Sequence, residues 1–542
     1  MSIKFARFLC IAALTLSSCG TDLTAIADHQ RVASFKDFAA MESMFQGLDT
    51  PPTIENCEQE CQERRQEFRY VVYVGKQIYC YWDMKRSETG TDFESLATSL
   101  EQQITNQTTL PAYYRTLRRW AAAFHDGHVN VMMNSDVSEM EVFTSNVRFE
   151  VLHAGTQTET ILVAETKDVE GLKAGDVVTK IMGQPASQYL DSLEENRSGS
   201  TRRMRRFFAA RLISDVIGSD LAGDAIAIDV RKPDGTESSV KIPRKAEITA
   251  KPEDGKEPPV TSGAELIKVA ILPGGVGYIR LDGFMGEQSF FLIDQAMNRV
   301  AGTKGLLIDL RANGGGDQSG NNIINRLIEA PVTRYKVSER MSDFLLHDRP
   351  ELFQNPWTLG NPFAEWRDLK VDPAESNLRY LNKPVVALTS NYCFSACDTF
   401  TSALKVNKLA TIVGEATAGG TGAPLVFDLP KSGLKFRYSV VRGHTAADGV
   451  IEGNGTEPDI SLAPTIEERI KGKDEQLAKA IDIVLSKIQG QSSEIGRSTQ
   501  AQSGAEQVMQ GFGAPLKQGF DMSPTARESR DLESLTSSDR IL

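Results

Sequence analysis

The sequence predicts a multidomain α/β protein: a helical N-terminal region, a β-rich insertion, and a domain built on a largely parallel sheet. Three observations carry this expectation. The chain has 542 residues, too many for one ordinary core. Residues 113–124 space Tyr114, Leu117, Trp120, Ala121 and Phe124 at helical intervals. Beyond residue 265, short apolar runs alternate with amphipathic stretches, the pattern of parallel strands joined by helices.

Composition excludes some partners. At 40% hydrophobic and 24% charged residues the chain is globular, and its net charge of -12 argues against nucleic-acid binding. The run Arg202, Arg203, Arg205, Arg206 therefore reads as one solvated or salt-bridged helix face.

The N-terminus opens with Lys4 and Arg7, an apolar run from Phe8 to Leu16, then Ser17, Ser18 and Cys19. This is a secretory signal peptide (1–18), too short for a permanent membrane span. Leu16-Ser17-Ser18-Cys19 resembles a bacterial lipobox, which implies lipidation at Cys19, a tether over 19–40, and an exported lipoprotein at the outer membrane or facing the periplasm. Five cysteines then remain: Cys57, Cys61, Cys80, Cys393 and Cys397. An odd number leaves at least one unpaired within the chain. A zinc site at Cys57, Cys61 and Cys80 lacks a nearby fourth ligand, and export disfavours it, so a disulfide within that trio is expected.

Residues 41–140 read as helical, with Glu58–Phe68 rich in helix formers and a second helix running into His125-Asp126-Gly127-His128. Its aromatic residues are expected in a core. Residues 141–248 change to strand-like runs: Val147–Leu152, Thr160–Ala164, Ala225–Val230 and Val240–Ile242. Between them, the stretch from Leu172 to Gln184 resembles the "GLKAGDVILKVNG" segment of PDZ domains, which bind extended peptides by strand addition. The usual glycine-rich carboxylate loop is not evident near Val147–Leu152. Residues 249–264 are a linker rich in Pro, Glu and Lys. The α/β domain spans 265–489, with strands at Val276–Leu281, Gly305–Leu310, Val385–Thr389 and Ala410–Val413, helices near 287–300, 321–329 and 396–406, and a last helix at Lys473–Ile488. Residues 490–542 are rich in Ser, Gln, Gly and Glu, a composition of disorder.

Two stretches invite chemistry. A strand ends at Asp309-Leu310-Arg311-Ala312-Asn313 and gives Gly314-Gly315-Gly316, glycines that let backbone N–H groups face a ligand. A phosphate loop would need a Lys-Ser/Thr ending that is missing, so an oxyanion hole is the better use. A second buried strand, Val385–Leu388, leads to Phe394-Ser395-Ala396-Cys397-Asp398. A serine at a strand-to-helix junction has the helix N-terminus beside it as an oxyanion donor. Taken alone, Ser395 could equally be an N-cap with Asp398 completing a capping box.

Together these elements resemble the tail-specific (C-terminal processing) protease family over roughly Tyr113 to Ile488. The family's motifs "DLRxNxGG", "SAxE", "GExTxG" and "EGxGxxPD" are met in order by Asp309–Gly316, Ser395–Asp398, Gly414–Gly419 and Glu452–Asp459. The resemblance implies Ser395 as nucleophile and the N–H groups of Gly315 and Ala396 as oxyanion donors. In the Ser-Lys branch the motif continues "TxGKG"; here Gly420 stands at the lysine position and cannot take a proton. The tricorn-like Ser-His branch instead takes a histidine from a "DGHT" segment, matched by Asp126-Gly127-His128-Val129. That implies His128 as general base and Glu452 as its carboxylate, direct or indirect, ahead of His125 and His444, which fall in no matching motif.

The expectation is thus a serine endopeptidase acting on proteins or peptides through an acyl-enzyme, with no metal or organic cofactor, held to a membrane by its lipid anchor. The alternative is a non-catalytic binding protein on the same scaffold. Because Cys397 would lie in the helix opened by Ser395, Cys393 and Cys397 are expected to remain thiols.

Overall fold

The structure, a computed structural model, describes residues 57–133, 141–217, 223, 225–248, 266–285, 288–342, 345, 362–471 and 473–495. The signal segment, Cys19, the tether, the 249–264 linker and the tail beyond 495 lie outside the described residues.

The chain begins with α1 (Gln59–Ile78), α2 (Trp82–Thr89), α3 (Phe93–Gln102) and α4 (Leu110–Ala122). Asp92 caps α3 through the N–H groups of Glu94 and Ser95, and Thr109 caps α4, whose first turn accepts Pro111. The aromatic spacing of α4 is core spacing: Trp120 and Phe124 are fully buried against Phe93, Phe68 and Tyr438. Tyr438 belongs to the far end of the sequence. β1 (Asn130–Met132) follows the histidine segment and pairs antiparallel with a C-terminal strand, Val131 opposite Phe436. The helices therefore share one core with strands more than 300 residues away.

The next unit holds β2 (Glu141–Thr144), β3 (Val147–Leu152), β4 (Thr160–Thr166), β5 (Val177–Ile181), β6 (Gln184–Pro185), α5 (Ala186–Glu194), α6 (Arg202–Arg211), β7 (Val216–Ile217), β8 (Ala225–Arg231), β9 (Glu237–Pro243) and β10 (Lys245–Ile248). Its main sheet has the order β3-β4-β5-β8-β9, with its own core of Phe149, Val163, Ile181, Leu190 and Ile228. In the turn before β5, Gly175 takes φ +91°, and the Asp176 carboxylate accepts from the N–H of Lys173 and from Lys232 Nζ. Of the two readings, solvated or salt-bridged, the four arginines of α6 take the salt-bridged one, though not all on one side. Arg205 and Arg206 are buried on Glu194, Glu159 and Asp191, and Arg202 lies near the same acids. Arg203 instead reaches the backbone carbonyls of Thr417 and Asn454.

The α/β domain follows: β11 (Ile267–Leu272), β12 (Val276–Leu281), α7 (Ser289–Val300), β13 (Gly305–Asp309), α8 (Asn321–Leu327), β14 (Val332–Glu339), β15 (Arg367–Val371), β16 (Val385–Thr389), α9 (Ala396–Val406), β17 (Thr411–Gly414), β18 (Pro424–Leu429), β19 (Leu434–Ser439), β20 (Val441–Thr445), β21 (Ile460–Ser461), α10 (Ile466–Lys471) and α11 (Glu475–Ile495). Its central sheet runs β11-β12-β13-β16-β17-β21, parallel except for β11. Both faces are covered, so the inner strands β13 and β16 read as near-continuous apolar runs. Leu306 and Ile308 join the core containing α7 and α9, whereas Leu307, Val386 and Leu388 meet α11. That last helix passes Ile488 and continues to Ile495, so the tail expected from Gly490 is still helical there.

Candidate active site

The carboxyl ends of the parallel strands form the site. β13 ends in Asp309, whose carboxylate takes Nε and Nη2 of Arg311 at 3.0 and 2.8 Å, and Arg311 reaches on to Asp474 just before α11. The Asp-Leu-Arg run is a clamp between strand end and last helix. Asn313 is fully buried; its Oδ1 accepts from the N–H of Gly315, and its carbonyl accepts from the N–H of Phe394. The glycine turn therefore lies against the turn that follows β16. Gly315 has φ +104°, and a Cβ there would stand 2.7 Å from Ser395 Cβ.

Ser395 sits at φ 58°, ψ -117°, and its side chain caps no backbone group of α9. A non-glycine residue in this region is strained, the conformation in which a strand-to-helix elbow presents a nucleophile. Ser395 is the N-cap position, but the capping-box reading is overturned, since its hydroxyl caps nothing. Oγ instead lies 2.9 Å from Nε2 of His128, a residue 267 positions earlier. Asp398, the other half of the supposed capping box, turns inward and accepts from the N–H groups of Gly419 and Gly420 at 2.9 Å each. Burial raises its pKa to about 6.

The imidazole is buried, and its pKa is driven well below the ordinary histidine value by burial and then by the Arg437 charge. The ring is therefore neutral and able to take a proton from Oγ. Phe394 packs on it with ring centroids 4.4 Å apart. Nδ1 has no hydrogen-bond partner among the described residues; the nearest carboxylate oxygen is Asp126 Oδ1 at 3.9 Å. Asp126 accepts from the backbone N–H of His128 at 2.7 Å and from Ser439 Oγ at 2.8 Å, which ties the loop to β19.

Glu452 is buried nearby but makes no direct hydrogen bond to His128. Its Oε2 accepts from the N–H of Thr421 at 2.9 Å, and Oε1 lies 3.3 Å from Lys85 Nζ. Burial, then the neighbouring Asp126, pushes its pKa well up. Lys85, fully buried in α2, keeps a raised pKa: burial opposes its charge, but Glu452, Asp126 and Glu88 outweigh it. Two buried carboxylates therefore share one buried ammonium. Lys85 has no signal in the sequence, since α2 is a polar helix in which one lysine looks like any other.

Of the expected oxyanion donors, the Ala396 N–H lies at the start of α9, where helical N–H groups have no intrahelical partner. The Gly315 N–H is directed to Asn313 Oδ1 at 2.9 Å. His125 is partly buried, with a pKa lowered to about 4 by burial, Arg205 and Lys85, and His444 stacks on Trp366 at 4.0 Å. Neither has a contact with Ser395 in this structure.

The cysteine expectation needs correction. Cys393 and Cys397 form a disulfide with Cα atoms 5.2 Å apart, bracketing Ser395. The expectation treated the elbow as ordinary helix, but the left-handed turn at Ser395 folds Cys393 back beside the first turn of α9. Cys57 pairs with Cys61, leaving Cys80 buried and free.

A strained serine at a strand-to-helix turn of an α/β sheet, with a buried imidazole 2.9 Å from its hydroxyl, is an arrangement that can support nucleophilic attack by the serine. Residues 275–462 match the peptidase family S41 domain. The carboxy-terminal-processing protease of Bartonella bacilliformis is 25% identical over 285 residues, covering 50% of this chain and 58% of the relative. The tricorn protease of Thermoplasma acidophilum is 24% identical over 229 residues, 41% of this chain and 18% of that one. The chain thus spans less than two thirds of these relatives' length. In fold it is similar to mature CPAF, with a TM-score of 0.67 at 18% identity, covering 80% of this chain and 99% of the other. Among the described residues no helix is long and apolar enough to cross a membrane.

Proposed function

We propose that the protein is a serine endopeptidase in which Ser395 attacks the scissile carbonyl while His128 takes the Oγ proton through Nε2. The 2.9 Å contact between Oγ and a buried neutral imidazole carries this reading. The acyl-enzyme would form as His128 returns the proton to the leaving amine, and water would then release the second product. The Ala396 N–H at the start of α9 would serve as one oxyanion donor, and the Gly315 N–H would join it by leaving Asn313 Oδ1. Glu452 acts indirectly, with Asp126 and Lys85, by fixing the field around the imidazole. The PDZ-like stretch Leu172–Gln184 supports peptide recognition by the 141–248 unit, and the lipobox-like Leu16–Cys19 supports anchoring at an exported membrane face.

Peptide hydrolysis should fall by orders of magnitude in both Ser395→Ala and His128→Ala. The double variant should be little worse than either, because the two act as one unit. Glu452→Gln should cost less. Full activity in His128→Ala with none in Ser395→Ala would require another base, and indifference to both changes would favour a binding protein.

A further inference from the structure

The helix that carries the four arginines is held in its own unit by Arg205 and Arg206, each paired with acids of that unit. Ser200, Thr201 and Arg203 do the opposite. Their side chains reach out of that unit to the His128 segment and to two loops of the α/β domain.

Ser200 Oγ accepts from the N–H of Gly127, the residue beside His128, at 3.0 Å. Thr201 Oγ1 donates to the carbonyl of Ala418 at 3.0 Å. Arg203 donates Nε and Nη2 to the carbonyl of Thr417 at 3.1 and 2.9 Å, and Nη2 also reaches the carbonyl of Asn454 at 2.5 Å. Those carbonyls belong to two loops that are zipped together. The N–H of Thr417 donates to the carbonyl of Thr456, the N–H of Thr456 donates to Thr417 Oγ1, and the N–H of Gly453 donates to the carbonyl of Gly419. The zipped loops in turn fix the site, since the N–H groups of Gly419 and Gly420 hold Asp398 in the helix opened by Ser395, and the N–H of Thr421 holds Glu452.

We propose that Ser200 and Arg203 are positioning residues of the catalytic centre, supplied by the 141–248 unit to hold the His128, 417–421 and 452–456 loops in register. This rests on the endopeptidase reading above. A planar guanidinium suits the task because its donors are fixed in one fork and can bridge two carbonyls at once, whereas an ammonium cannot reproduce that fork. Neither residue touches substrate; both act through the loops they hold.

The test uses the full chain and a fluorogenic peptide, with kcat and KM measured separately. Arg203→Ala should lower kcat by about 10- to 100-fold, the cost of a small misplacement of reacting groups, with KM changed less than about twofold and cooperative unfolding retained. Arg203→Lys should recover only part of the loss. Ser200→Ala should add little to Arg203→Ala, since both act on one set of loops. Arg205→Ala serves as the control: it should lower thermal stability while the folded enzyme keeps its kcat. Should Arg203→Ala fold poorly, Arg203→Gln, which keeps one donor and most of the length, takes its place with the same expected loss. A wild-type kcat in folded Arg203→Ala or Arg203→Gln would overturn the proposal. So would an equal loss in Arg205→Ala, which would mean general weakening of the unit. An inactive wild type would instead remove the endopeptidase reading itself.

Discussion

Phe394 occupies the space that any side chain at position 420 would need: a Cβ on Gly420 would lie 1.7 Å from Phe394 Cε2. The same ring packs on His128 at 4.4 Å. A lysine at position 420 is thus excluded sterically, since the ring that packs on His128 stands where its stem would pass.

Gly420→Ala should therefore displace Phe394 and disturb His128, lowering kcat/KM by about 100-fold. Adding Phe394→Ala should recover part of that loss by reopening the space, although Phe394→Ala alone costs activity. A Gly420→Ala enzyme with wild-type kinetics would show that the ring yields without moving the base. Gly420→Lys should not rescue His128→Ala, because its stem meets the same ring.

Acid should weaken the fold through His128. An ordinary imidazole takes a proton near pH 6.5, whereas His128 in the folded protein resists protonation until well below that. Below about pH 6.5 the unfolded chain therefore binds a proton that the folded chain does not, and stability falls as pH falls. His128→Asn should lose less stability than wild type between about pH 7.5 and 5.5, measured by urea unfolding at each pH. Asp398, with a pKa raised to about 6, has the opposite sign, its contribution present at low pH and lost as pH rises. It is common to both proteins and cancels in the comparison. Identical pH slopes for the two proteins would count against a neutral, buried His128.

The disulfide across the elbow gives a third expectation. Closing so short a loop restricts the unfolded chain by about 2 kcal/mol on the chain-entropy account. Here it also joins Cys393 and Cys397 on either side of the strained Ser395. Cys393→Ala with Cys397→Ala should lower stability by about that amount and reduce kcat more than KM, as Ser395 gains freedom to leave its left-handed conformation. Free thiols at both positions in non-reducing peptide mapping of active enzyme would refute the crosslink.

Much of this protein is local and therefore legible in its sequence. Val147–Leu152, Val276–Leu281, Val385–Thr389 and Ala396–Val406 form with the bounds their periodicity predicts, because an apolar run buried on both faces and an amphipathic helix each declare themselves within a few residues. Ser395 and His128 could be singled out because each lies in a short motif. What the sequence left undecided depends on residues far apart in the chain. The N-terminal helices read as a separate region but share a core with β18 and β19, and that pairing is what carries His128 to Ser395. Lys85 looks like a solvated helix charge until tertiary packing buries it between Glu452 and Glu88. Arg203 reads as one of four alike until the helix phase turns it toward Thr417 and Asn454. The Cys393–Cys397 bond depends on a backbone dihedral at Ser395 that no residue type announces. Sequence patterns fix which face of an element is apolar; only the folded chain decides which distant element that face meets, and so which buried charges and hydrogen-bonding groups must satisfy one another.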